Sequence, residues 1–142
     1  MLTVRFYEEA EDRLLKFAVI ITKSKGKWVF CKHRERETYE VPGGHREEGE
    51  DIEDTARREL YEETGAVKFS LVPVCVYSVV QDDGDDRTES FGKLYYAEVE
   101  QFEEQLHSEI EKIILTDELV ENWTYPLIQP MLLEEAKRRG LI

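Results

Sequence analysis

Three glutamates, Glu59, Glu62 and Glu63, stand close together where apolar residues recur at helical spacing. Each helical residue advances by about 100°. Glu59 and Glu63, four apart, therefore share a face, and Glu62 flanks them. Unneutralised, carboxylates at such spacing repel one another. A divalent cation relieves the repulsion, polarises a bound substrate atom and lowers the pKa of an attacking water. Mg²⁺ suits such a set, because it binds through one or two carboxylates and keeps places for water and phosphate oxygens; Mn²⁺ would use the same donors.

These side chains need a helix to carry them. The spacing of Ile52, Ala56 and Leu60 predicts one over residues 51–64, with its apolar face turned to a core. Glu50 and Asp51 stand near its start, where negative charge suits the helix dipole, and Gly65 stands where a left-handed closing residue is expected. Gly43 and Gly44 follow Pro42 and predict a tight loop that brings backbone to the site.

Around this unit the chain reads as strands. Residues 2–7, 16–22 and 28–31 are apolar or β-branched, and the turn residues 24–27 make the last two runs a hairpin. Residues 67–80 predict a long strand, with Pro73 at a bulge or an edge. After a polar loop, Phe91 to Val99 predicts the returning strand. Residues 100–110 read as irregular, Lys112 to Leu115 as a short strand, and 130–139 as a helix closed by Gly140. No linker or repeat appears, so residues 1–142 read as one α/β domain, a mixed sheet with helices on its faces.

Gly44, Glu50, the run Arg58-Glu59-Leu60, Glu62, Glu63 and Gly65 stand in the register of the Nudix box, here residues 44–66. The chain thereby resembles the Nudix hydrolases, departing only at Ala66, a packing position where a larger aliphatic residue is usual. The resemblance implies an α/β/α sandwich and metal-dependent water attack on the pyrophosphate of a nucleoside diphosphate linked to another group. It implies that Glu59, Glu62, Glu63 and the Gly43 carbonyl hold metal. It further implies that Arg58 orients the glutamates and that Glu50 pairs with Arg58 or supports the metal. The base is a box glutamate or one on a later loop, with Glu98, Glu103, Glu104 and Glu109 as candidates and Glu109 favoured. The approach Tyr39-Glu40-Val41-Pro42 and the small size resemble nucleoside triphosphate pyrophosphatases, oxidised nucleotides included. ADP-ribose or another nucleotide sugar is the alternative substrate, and a non-catalytic nucleotide sensor the alternative role. A sensor should have lost box glutamates, and this chain keeps them. An isoprenoid diphosphate isomerase of the same fold would need a longer chain and a supported catalytic cysteine.

Outside the box, Lys32, His33, Arg34 and Arg36 form a basic cluster. Arg34 and Arg36 are candidate phosphate contacts, against the plainer reading of a solvated hairpin end. His45 is a candidate substrate contact beside the glycine pair, against an ordinary surface histidine. The strand aromatics are core residues, one or two of them free to stack on a base. The Asp82–Asp86 run lacks the spacing of a calcium loop.

Composition sets the limits. The 142 residues are 41% hydrophobic and carry a formal charge of −13, a field that repels nucleic acid and anionic membranes but admits a metal-screened nucleotide. Cys31 and Cys75 lie in strand-like runs and read as free buried thiols. Neither a leader-like start nor a membrane-length apolar run is present, so the expected location is the cytoplasm. The expected partner is a small nucleotide, and the resemblance leaves room for a homodimer.

Overall fold

The computed structural model describes residues 1–104 and 110–142. In chain order the elements are β1 (Leu2–Tyr7), a one-turn 3-10 helix (Asp12–Leu14), β2 (Leu15–Ser24), β3 (Lys27–His33), β4 (Gly43–His45), α1 (Ile52–Thr64), β5 (Ala66–Asp82), β6 (Arg87–Phe102), β7 (Ile110–Thr116) and α2 (Gln129–Arg138). The sheet runs β1-β5-β6-β2-β3-β7, with β4 also paired to β2. β2 and β6 are parallel, and the other pairs are antiparallel.

Side chains alternate across a strand, and this sheet uses both of its faces. Ile20, Val76 and Tyr95 pack with Ile52, Ala56 and Leu60 of α1. Their neighbours Ile21, Cys75, Tyr77 and Leu94 pack with Leu132, Leu133 and Ala136 of α2. The architecture is thus the expected α/β/α sandwich. Both cysteines are free and buried. Pro73 sits at a register shift in β5, on the part that β1, paired to Val76–Gln81, does not reach.

The Gly43–Gly44 segment departs from the expected loop. Pairing in the β2–β3 hairpin is short, Lys23 with Trp28 and Ser24 with Lys27. Beyond it the two strands part, and residues 39–45 fill the gap. Glu40 exchanges backbone hydrogen bonds of 2.7 and 3.0 Å with Cys31 of β3. Pro42 accepts from the Ile20 N–H at 2.8 Å. Residues 43–45 then pair with Phe17–Val19 of β2. Neither glycine has a left-handed φ. What demands glycine is space: a Cβ on Gly43 would lie 2.7 Å from the Ala18 carbonyl oxygen, and one on Gly44 would fall on the Glu59 carboxylate.

Residues 100–102, read as irregular from their polarity, belong to β6, where pairing with Ala66 and Lys68 of β5 extends the strand. Among the described residues no helix is long and apolar enough to cross a membrane.

Gly92 on β6 faces the Phe17 ring, and a Cβ there would overlap it and lie 2.9 Å from the Phe17 carbonyl oxygen. Gly92→Ala should therefore destabilise the fold by about 1–3 kcal/mol, the usual range for overpacking. Urea unfolding measures this, and an unchanged midpoint would contradict the packing described.

Candidate active site

α1 carries the acidic side chains, and its ends follow from the sequence. Asp51 stands at the N-cap in extended conformation. Gly65 closes the helix at φ 77°, its N–H donating to the Tyr61 carbonyl. Ile52, Ala56 and Leu60 are buried against the sheet, so the carboxylates are held at the border of α1 and β4.

Arg58 is the hub of the charged network. Its Nε and Nη2 donate to the two Glu50 oxygens at 2.6 and 3.0 Å. Its Nη1 reaches Glu59 at 2.8 Å and Glu62 at 3.3 Å, and its Nη2 also reaches the His45 carbonyl at 2.9 Å. The Thr55 hydroxyl adds a 2.6 Å bond to Glu50. The Arg58 guanidinium, with Thr55, holds the Glu50 carboxyl down at about 2.

Glu63 has the opposite environment. It is buried, and its Oε1 accepts from the Gly43 N–H at 2.7 Å. Burial pushes its carboxyl up to about 8, against the Gly43 bond, and the charges of Glu59, Glu40 and Glu62 push the same way. Burial also raises Glu59, with Arg58 pulling back. The three helix carboxylates therefore do not crowd a single point. Glu59 and Glu62 lean on Arg58, and Glu63 on Gly43. Among the described residues no three acidic, histidine or cysteine side chains form a ready cage.

A hard divalent cation still fits this donor set. The carboxylate oxygens carry charge that burial and like neighbours disfavour, and a cation would relieve that. A metal that keeps waters and takes phosphate oxygens needs no closed cage.

Lys32, His33 and Arg36 of the basic cluster are already engaged. Lys32 Nζ donates to Glu111 at 2.8 Å. His33 Nε2 lies 3.6 Å from Glu63 and 3.8 Å from Glu40. Arg36 donates to Glu40 at 3.1 Å. Arg34 borders a polar depression with Thr64, Glu103, Glu104 and Glu111. The His45 side chain is exposed, edge-on to Phe17. Among the later glutamates, Glu98 accepts from the Tyr96 hydroxyl at 2.8 Å and Glu103 from the Tyr61 hydroxyl at 3.0 Å. Glu109 lies outside the described residues.

Sequence reasoning missed Glu40. It is buried beside Glu63 and held by Arg36. The available signal was an acidic residue inside an otherwise apolar approach to the glycine pair. A cavity of 320 Å³ opens next to it, over Gly43 and Gly44, walled by Phe17, Tyr77 and Val79 and edged by Tyr125 and Gln129.

Glu63 sets a pH dependence for the metal-free protein. A carboxyl raised on folding binds its proton more tightly in the folded state. The stability it lends is present below its ordinary value of 4.5 and is lost as pH rises to about 8. Glu63→Gln should flatten this fall between those limits and raise the melting temperature at pH 8. Thermal melts in chelator across that range measure it, and parallel curves for both proteins would refute the assignment.

The NUDIX domain family model matches residues 12–139, from the 3-10 turn through α2. A Bacillus subtilis protein named "Putative 8-oxo-dGTP diphosphatase YtkD" is 36% identical over 108 residues, which are 75% of this chain. The chain spans 65% of that relative's length. The crystal structure of the Bacillus subtilis pyrophosphohydrolase BsRppH superposes with a TM-score of 0.80 at 29% identity, covering 99% of this chain and 94% of that one. A NUDIX hydrolase from Nitrosomonas europaea gives 0.69 at 20% identity, over 88% of this chain and 90% of that one. With the box on α1, the glycine pair against it and a match that takes in both helices and six of the seven strands, the chain belongs to the Nudix family.

Proposed function

We propose that this chain is a divalent-metal-dependent pyrophosphohydrolase acting on a nucleoside triphosphate, oxidised forms included. The observation that carries the reading is the division of the acidic residues. Arg58 neutralises Glu50 and orients Glu59 and Glu62, while Glu63 sits buried on the Gly43 N–H. A helix stabilised by surface ion pairs has no need of a buried carboxylate whose ionisation is opposed.

Glu59, Glu62, Glu63 and the Gly43 carbonyl are the groups we assign to the metal, Mg²⁺ first and Mn²⁺ second. When bound, it would supply charge neutralisation for the phosphates and activation of water. The protein's own part is preorganisation. The Arg58 fork fixes its carboxylates in the plane of the guanidinium, and the Gly43 N–H fixes Glu63 without a side chain of its own. Arg34 and His45 are the candidates to meet phosphate oxygens at the rim. Proton transfer from water falls to a carboxylate, and Glu109, favoured on sequence, is the residue to compare with Glu59.

The substrate reading is supported by the cavity beside Gly43 and Gly44, whose aromatic and aliphatic walls suit a nucleobase. The name of the 36% identical relative points the same way. Retention of Glu50, Glu59, Glu62 and Glu63 speaks for an enzyme over a sensor.

A phosphate-release screen in Mg²⁺ over nucleoside triphosphates, ADP-ribose, dinucleoside polyphosphates and sugar nucleotides tests the proposal. Turnover of nucleoside triphosphates should depend on the cation and fall on the order of a hundredfold or more in Glu59→Gln and Glu63→Gln. A folded, cation-binding protein that hydrolyses none of these substrates would overturn it.

A further inference from the structure

Two arginines, Arg46 and Arg58, grip the segment that joins β4 to α1. Arg46 approaches it from the side of the sheet. Its Nε donates to the Glu50 carbonyl at 2.6 Å. Its Nη1 donates to the Asp12 carbonyl at 2.9 Å and to the Leu15 carbonyl at 3.3 Å. Its Nη2 meets the Asp12 carboxylate at 2.9 Å. Its backbone N–H donates to the Lys16 carbonyl at 2.8 Å, one step beyond the pairing of β4 with β2.

Glu50 is therefore held at both ends. Arg58, the Thr55 hydroxyl and the Glu47 N–H take its carboxylate, and Arg46 takes its carbonyl. The Arg46 side chain is 18% exposed, against 73% for that of Asp12. An ion pair with so open a carboxylate contributes little. The weight rests on three main-chain carbonyls, one from the 3-10 turn, one from the start of β2 and that of Glu50. A planar fork reaches them at once, as a single ammonium cannot.

On the assignment of Glu59 and Glu62 to the metal, we propose that Arg46 is a positioning residue for the cation site, anchoring Glu50 to the sheet so that Arg58 meets Glu59 and Glu62 in a fixed place. Without the anchor, Glu50 keeps its bonds to Arg58 and the two shift together. Outer partners of metal ligands act in this way, fixing direction without touching the ion. Positioning and plain electrostatics predict opposite signs. Removing a positive side chain from a chain of formal charge −13 favours cation binding. Removing an anchor weakens it.

The test is Mn²⁺ binding to the full chain, followed by electron paramagnetic resonance, for the wild type, Arg46→Gln, Arg46→Lys and Asp12→Asn. Arg46→Gln should bind Mn²⁺ about tenfold more weakly, the scale of an outer partner. Arg46→Lys, which keeps the charge and loses the fork, should lose most of the same affinity. Asp12→Asn removes only the exposed carboxylate and should bind as the wild type does. In turnover, the Mg²⁺ needed for half-maximal rate should rise in Arg46→Gln by the same factor, and the rate at saturating Mg²⁺ should hold. Unchanged or tighter Mn²⁺ binding in Arg46→Gln would overturn the proposal. So would full affinity in Arg46→Lys, or an equal loss in Asp12→Asn, since either would reduce the role to charge. Should Arg46→Gln fold poorly, Arg46→Lys carries the same test. A wild type that binds no Mn²⁺ defeats the metal assignment itself, and that is visible before any variant is made.

Discussion

The site depends on how closely β4 approaches α1. Where Gly44 lies, the Glu59 carboxylate occupies the space that a Cβ would need, and one residue earlier the Gly43 N–H is spent on Glu63. A backbone stripped of side chains is thereby brought into contact with two acids. A side chain at Gly44 would displace the Glu59 carboxylate, and one at Gly43 would press on the β2 backbone at Ala18 and Val19. The apolar face of α1 supplies the opposing force, since Ile52, Ala56 and Leu60 hold the helix down on the sheet.

Within that contact the acids are not equivalent. Glu50 is held ionised by a bidentate arginine, and Glu63 is held where ionisation is opposed by burial and by its neighbours. The first is structural in effect, since it fixes the guanidinium that orients Glu59 and Glu62. The second keeps its proton until the pH approaches about 8, so no counter-charge is needed to hold it in the metal-free protein. A site with one acid fully answered and another whose ionisation is opposed differs from a helix surface laced with ion pairs, in which each charge meets its opposite within a turn.

The helix was the most legible element in the sequence, because its period, its acidic start and Gly65 all lie within one continuous stretch. The resemblance left Glu50 to pair with Arg58 or to support the metal, and its carboxylate accepts two hydrogen bonds from Arg58. The glycine pair was read as a loop because two glycines following Pro42 suit a tight turn. What makes it a strand is pairing with Phe17–Val19, a partner distant in sequence whose edge is free only because β2 and β3 part beyond their turn. The burial of Glu40 was hidden for the same reason, as it follows from pairing with Cys31. The engagement of Arg36 follows from it, since the carboxylate that Arg36 donates to is that of buried Glu40. Glu100 and Gln101 were misjudged by their polarity, which is ordinary for the end of a strand whose partner continues beside it.

The wedge of residues 39–45 takes backbone hydrogen bonds from both β2 and β3. It is therefore part of the sheet's own hydrogen-bond ladder and not an appended flap. To swing it away would break the ladder on two sides and open to water the core in which Val41 is buried. Chemistry housed on such a segment inherits the rigidity of the whole fold. Adaptation to new substrates is then confined to what can vary without touching the ladder: the side chains of the wall opposite, and the stretch before α2 that bears Tyr125.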